Sequence, residues 1–126
     1  MNTRVTHWLI PDGWMPPPGT GEVKGHEAVC VLNLTAEPAE LTFTFYFEDK
    51  EPESVTGLLC GARRTRHFRL DFAHESGGYV LSPETPYALV VESNQPVTVQ
   101  HTRVDTRGDL ALMTTLANPI EAENPR

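Results

Sequence analysis

Large apolar side chains alternate strictly with smaller or polar-tipped ones through residues 41–48, where Leu41, Phe43, Phe45 and Phe47 are separated by Thr42, Thr44 and Tyr46. A period of two gathers the first set on one face of a pleated strand, whereas a helix would scatter it around the axis. That face belongs in a core, because each fully buried large apolar side chain contributes about 1.5–3 kcal/mol. Residues 28–34 are apolar at nearly every position and predict a central strand covered on both sides, by the fold itself or by a second subunit. Shorter strand-like runs follow at 5–10, 55–60, 65–70, 79–81, 87–92, 97–105 and, less regularly, 112–116, with turn formers such as Ser76-Gly77-Gly78 and Asn94-Gln95-Pro96 between them. Eight or nine short strands without an amphipathic helix define an all-β chain, here a two-sheet antiparallel β-sandwich of jelly-roll-like form.

At 126 residues the chain suits one domain. Residues 1–117 are assigned to the sandwich and 118–126, with their two prolines and no apolar period, to a C-terminal tail expected to be mobile or to dock only on a partner. No run reaches the roughly 18–20 apolar residues needed to span a bilayer as a helix, and Met1-Asn2-Thr3-Arg4 carries no secretory apolar stretch, so a cytoplasmic location is expected. The same expectation leaves Cys30 and Cys60 as buried reduced thiols and the Asn33-Leu34-Thr35 sequon unmodified. The run Met15-Pro16-Pro17-Pro18-Gly19 must be extended and reads as a rigid crossing loop.

The formal charge of −7 repels a polyanion on average, so nucleic acid is not an expected partner. Arginine nevertheless outnumbers lysine eight to two, and its planar fork of donors suits recognition of carboxylates and phosphates. The densest cluster is Ala62-Arg63-Arg64-Thr65-Arg66-His67-Phe68-Arg69, in which Arg63, Thr65, His67 and Arg69 share one face and Arg64, Arg66 and Phe68 the other. A second run places Val97, Val99, His101, Arg103 and Asp105 on one face, apolar at one end and polar at the other, and His26-Glu27 opens the apolar strand that also carries Asn33. Trp8 and Trp14 flank a Pro11-Asp12-Gly13 turn, where an indole offers a stacking surface to a sugar ring or seals the end of the core. His26, Glu27, His67 and His101 have ligand chemistry for zinc or manganese but lack the spacing that would fix them on one face; no metal and no cofactor is called for.

Trp8, the 13–19 loop, His26-Glu27 with Cys30 and Asn33, Asp49-Lys50-Glu51-Pro52, Ala62-Arg63-Arg64-Thr65 with His67 and Arg69, Ser93-Asn94 with Pro96-Val97, and Gln100-His101-Thr102-Arg103 with Asp105 together resemble the soluble sensory rhodopsin transducer family. The resemblance implies a small cytoplasmic sandwich, similar in shape to carbohydrate-binding sandwiches, that assembles as a homotetramer and couples a retinal membrane receptor to later events. Residues 72–79 and 117–126 depart from the family pattern, so partner contacts made there are not carried over.

The expected function is a non-catalytic signalling or binding module that meets the cytoplasmic face of such a receptor or binds a small polar ligand, carbohydrate-like or anionic. Arg63, Arg64 and Arg103 would supply forked donors, Glu27, Asn33 and Gln100 would orient hydroxyls, His67 and His101 would add imidazoles, and Trp8 would stack. Replacing Arg103 by alanine is then expected to weaken assembly or ligand binding with little effect on the monomer fold. The alternative is a metal-dependent hydrolase or isomerase built on His26, Glu27, His67 and His101.

Overall fold

The computed structural model describes residues 4–123 as nine strands: β1 (Arg4–Trp14), β2 (His26–Asn33), β3 (Ala39–Tyr46), β4 (Glu53–Cys60), β5 (Arg64–Arg69), β6 (Pro86–Ser93), β7 (Val97–Asp105), β8 (Ala111–Leu116) and β9 (Asn118–Glu123). They form a five-stranded sheet in the order β4-β3-β6-β1-β9 and a four-stranded sheet in the order β5-β2-β7-β8. Every neighbouring pair is antiparallel. The all-β sandwich read from the sequence is therefore the fold. Among the described residues no helix is long and apolar enough to cross a membrane.

Alternation decides which side chains meet between the sheets. Leu41, Phe43 and Phe45 of β3 are fully buried, as are Leu89 and Val91 of β6, Val29 and Val31 of β2, Val99 of β7 and Phe68 of β5. Phe43 and Phe68 bridge the two layers edge to face, with ring centroids 5.1 Å apart. Phe47 lies past the end of β3 and is partly buried, packed against the core.

Two expectations are corrected. Residues 79–81 form no strand; they end a turn-rich strap in which the Ser76 hydroxyl donates to the carbonyls of Phe72 and Tyr79. Gly77 (φ 70°) lies close against Val55 of β4, Tyr79 packs on Phe45 with centroids 5.0 Å apart, and Leu81 is buried, so the strap serves the core without pairing. The expected tail is a strand over its first six residues, since Asn118–Glu123 pairs antiparallel with β1. Residues 124–126 of that tail lie outside the described residues. Pro119 is tolerated in β9 because the strand is at a sheet edge, where a missing N–H need not break a ladder.

Candidate functional site

β2 carries a buried polar side chain at each end of its apolar interior: Glu27 and Asn33, both fully buried. The six steps along the strand from one to the other span about 20 Å at roughly 3.3 Å per residue. Arg103 stands opposite Glu27 on β7, whereas Arg64 stands opposite Asn33 on β5. The forked-donor set expected from the sequence is thereby split between opposite ends of the sandwich.

At the Glu27 end the carboxylate is held from several sides. Oε1 accepts from the Tyr87 hydroxyl at 2.5 Å and from the Trp14 amide at 3.1 Å, and Oε2 accepts from Nε of Arg103 at 3.0 Å. The Arg103 guanidinium also donates to the Asp12 carbonyl at 3.0 Å. Nε2 of His101 lies 2.9 Å from Oε2 but off hydrogen-bonding alignment, and Nδ1 of this fully buried ring has no partner. A bulge in β1 between Ile10 and Gly13 makes the cluster possible, and the segment read as a Pro11-Asp12-Gly13 turn is part of that strand. Gly13 is needed there because a Cβ at this position would collide with the Tyr87 ring.

Burial, then the neighbouring Glu27 charge and the hydrogen bond to it, pushes the Tyr87 phenol well above its ordinary 10.0. The folded state therefore keeps its proton where the unfolded chain loses it, so Tyr87 leaves stability unchanged below pH 10 and lowers it as pH rises further. Tyr87→Phe is expected to cost about 1.5–3 kcal/mol at neutral pH, the range for a hydrogen bond to a charged group. It is also expected to flatten the alkaline decline, and urea unfolding midpoints across that pH range check both effects. An alkaline limb as steep as that of the parent protein would remove Tyr87 as its source.

At the other end Asn33 closes a loop junction. Its Nδ2 donates to the carbonyls of Glu37 (2.8 Å), Gly61 (3.1 Å) and Cys60 (3.2 Å), and its Oδ1 accepts from the Thr35 amide and hydroxyl at 3.0 and 2.8 Å. Arg63 (φ 53°) and Arg64 are exposed in and beside the β4–β5 turn, with Arg64 donating to the Arg63 carbonyl at 3.0 Å. The expected division of faces along β5 holds: Phe68 is buried, and Arg66 lies over its ring at 4.6 Å while donating to the Leu59 carbonyl at 2.8 Å.

The remaining expected residues lie elsewhere. His67 and Gln100 are exposed on the outer face of the four-stranded sheet, each registered with Cys30. Trp8 is partly buried against the core, with its indole N–H unpartnered, so it is not an open stacking platform. Burial pushes both free thiols up, and of the two Cys60 is buried and Cys30 half-buried. Of the nine expected site residues, the structure brings Glu27, His101 and Arg103 together at one end of β2 and sets Asn33, Arg63 and Arg64 at the other.

The metal-dependent hydrolase reading fails on geometry. Glu27 and His101 face inward, His67 faces outward two strands away from His101, and His26 bonds through Nδ1 to the Lys24 carbonyl at 2.7 Å. Among the described residues no three His, Cys, Asp or Glu side chains converge to hold a metal ion. Tyr87 and Asp12 were missed as members of the cluster. Tyr87 sits on the inward phase of its strand, which was legible, but its pairing with Glu27 across 60 positions was not.

A groove of about 230 Å³ opens between the sheets, lined by Leu9, Ile10, Pro11, Asp12, His101, Met113, Thr115, Leu116 and Asn118. The orphaned imidazole thus forms part of a cavity wall.

The fold and the cluster define an antiparallel two-sheet β-sandwich module whose buried charges lock its own strands, with grooves at its rim. The chain belongs to the Anabaena sensory rhodopsin transducer family, whose model matches residues 4–119. The Anabaena sensory rhodopsin transducer itself superposes with a TM-score of 0.67 at 40% identity, over 81% of this chain and 90% of that one. The crystal structure of Thermotoga maritima 1070 superposes with a TM-score of 0.79 at 32% identity, over 89% of this chain and 91% of that one. No functionally curated protein matches the chain.

Proposed function

We propose that this chain is a non-catalytic signalling module that binds a small polar ligand, carbohydrate-like or anionic, in the groove beside His101. It relays its bound state to a partner, in keeping with a relative that is named a sensory rhodopsin transducer. The observation that carries the ligand reading is the unpartnered Nδ1 of a fully buried His101 in the wall of that groove. Buried polar atoms are nearly always satisfied, and a ligand hydroxyl or oxyanion would satisfy this one. The carboxylate of Glu27 is already occupied by Tyr87, Trp14 and Arg103, which favours holding over proton transfer.

A thermal-shift screen against sugars, sugar acids and phosphates tests the reading. Ligand at 100 times its dissociation constant adds about 2.7 kcal/mol. The stabilisation is expected to disappear in His101→Phe. Absence of any stabiliser across the panel would overturn the ligand reading and leave coupling to a receptor's cytoplasmic face as the function.

A cytoplasmic homotetramer belongs to the same proposal. The outer face of the four-stranded sheet supports it, with Leu32, Leu34, Leu112 and Leu116 exposed at 43%, 78%, 68% and 68% among Thr98, Gln100, Thr102 and Thr114. Charge on both Leu32 and Leu116 would have to be desolvated in such a contact, so the Leu32→Glu, Leu116→Glu variant is expected to run as a smaller species in light scattering. An unchanged mass would show that this face is not the interface.

A further inference from the structure

A second, larger groove of about 420 Å³ lies where β1 bulges past the end of β3 and the start of β6, with Tyr46, Phe47 and Tyr87 as aromatic walls and Asp12 and Glu48 as its acids. It adjoins a further cavity of about 310 Å³ through Phe47, Glu48 and Pro86, which adds Asp49 and Glu84. Among the described residues the one cation lining the two is Lys50, and its ammonium sits 4.2 Å from the centroid of the Phe47 ring. The chain's own lysine thus shows that this aromatic face accepts a positive charge. Asp12 is 84% exposed at its side chain, whose carboxylate meets Arg103 at 3.4 Å, and Glu48 is exposed.

We propose that this groove docks an arginine or lysine side chain on an extended basic segment of a partner protein. Glu48, Asp49 and Glu84 face the groove beside Lys50, and Asp12 adds a carboxylate that Arg103 also meets, so the lining keeps the sign of the whole chain, whose charge of −7 steers basic surfaces toward it. A guanidinium suits the site better than an ammonium, because it lies flat on Tyr46 or Phe47 while its edge donates to Glu48. Membrane receptors carry an excess of lysine and arginine in their cytoplasmic loops, so a surface of this kind fits the receptor side of the proposed function. The inference concerns the surface itself and holds whichever basic protein supplies the segment.

The test is an amide-resolved NMR titration of the intact protein with acetyl-Gly-Arg-Gly-Arg-Gly-amide, beside its citrulline counterpart, which keeps the shape and lacks the charge. Shifts are expected at Asp12, Gly13, Phe47, Glu48 and Ala88 with the arginine peptide and not with the citrulline one. Phe47→Leu and Glu48→Gln are each expected to weaken binding about two- to fivefold, the size of one exposed cation–π contact. Lys50→Met, which vacates the Phe47 face, is expected to strengthen it. Glu37→Gln removes the same charge from the far end of β3 and is expected to leave binding unchanged. Equal binding of the citrulline peptide, shifts spread over the acidic surface, or an equal loss in Glu37→Gln would overturn the docking site. None of these results bears on the His101 groove, which the thermal-shift screen tests separately.

Discussion

Arg103→Ala is expected to destabilise the folded monomer by about 3–5 kcal/mol, the cost of removing one partner from a buried charge pair. Sequence reasoning had given this arginine to assembly or to a ligand and expected the fold to survive its loss. The structure reverses the order of effects. Nε of Arg103 is 3.0 Å from a carboxylate oxygen of a fully buried Glu27, and the arginine side chain is itself only 18% exposed. Truncation leaves Glu27 facing His101 with its cationic partner gone, and it frees the Asp12 carbonyl in the β1 bulge. Urea unfolding of Arg103→Ala, Glu27→Gln and the double variant forms a cycle that separates the pair from its neighbours. The double variant is expected to be more stable than Arg103→Ala, because a neutral amide tolerates the site better than an unpaired carboxylate. A midpoint for Arg103→Ala equal to that of the parent protein would show that water screens this carboxylate and that the cluster contributes nothing to the fold.

The reach of the sequence can be judged strand by strand. β7 was legible to the residue and β3 to within two positions, because alternation in those segments reports burial directly. β9 was not, since Asn118-Pro119 reads as a breaker and its pairing with β1 rests on an edge position that only the assembled sheet creates. The segment 79–81 misled in the opposite direction: Tyr79 and Leu81 are needed by the core, and apolarity alone does not distinguish a strap from a strand. Within the candidate site, Glu27 and His101 stood out as polar residues in otherwise apolar runs. Their meeting depends on the antiparallel register that sets Glu27 against Arg103 and Val29 against His101, which no local pattern encodes. The arginine cluster was conspicuous in sequence, yet its position at the far end of β2 separates Arg63 and Arg64 from Arg103. Recognition, if it uses these groups, uses them at different places.

Asn33→Ala carries the second large expected effect, about 3 kcal/mol of lost stability with ligand binding at the His101 groove unchanged. Sequence reasoning had assigned Asn33 to orienting a ligand hydroxyl. In the structure its amide is spent on the protein: it joins the carbonyls of Glu37, Cys60 and Gly61 and receives the Thr35 amide and hydroxyl. One fully buried side chain thereby ties the β2–β3 loop to the end of β4, and the Arg63 amide reinforces the junction by donating to the Thr35 carbonyl at 3.0 Å. Each buried polar group left unsatisfied costs about 1–3 kcal/mol. Of the groups freed by truncation, the Cys60 carbonyl contact is the one that is wholly buried, while the Glu37 and Gly61 carbonyls are partly reached by water. That difference holds the estimate at about 3 kcal/mol and below a simple sum of the lost bonds. Asn33→Asp discriminates further: it keeps the acceptor for Thr35 but sets a buried carboxylate against three carbonyl oxygens, so it is expected to be at least as damaging as alanine. Denaturant midpoints for both variants, measured beside the thermal shift given by whichever compound stabilises the parent, test the assignment. Loss of that shift in a folded Asn33→Ala protein would return the residue to the ligand site.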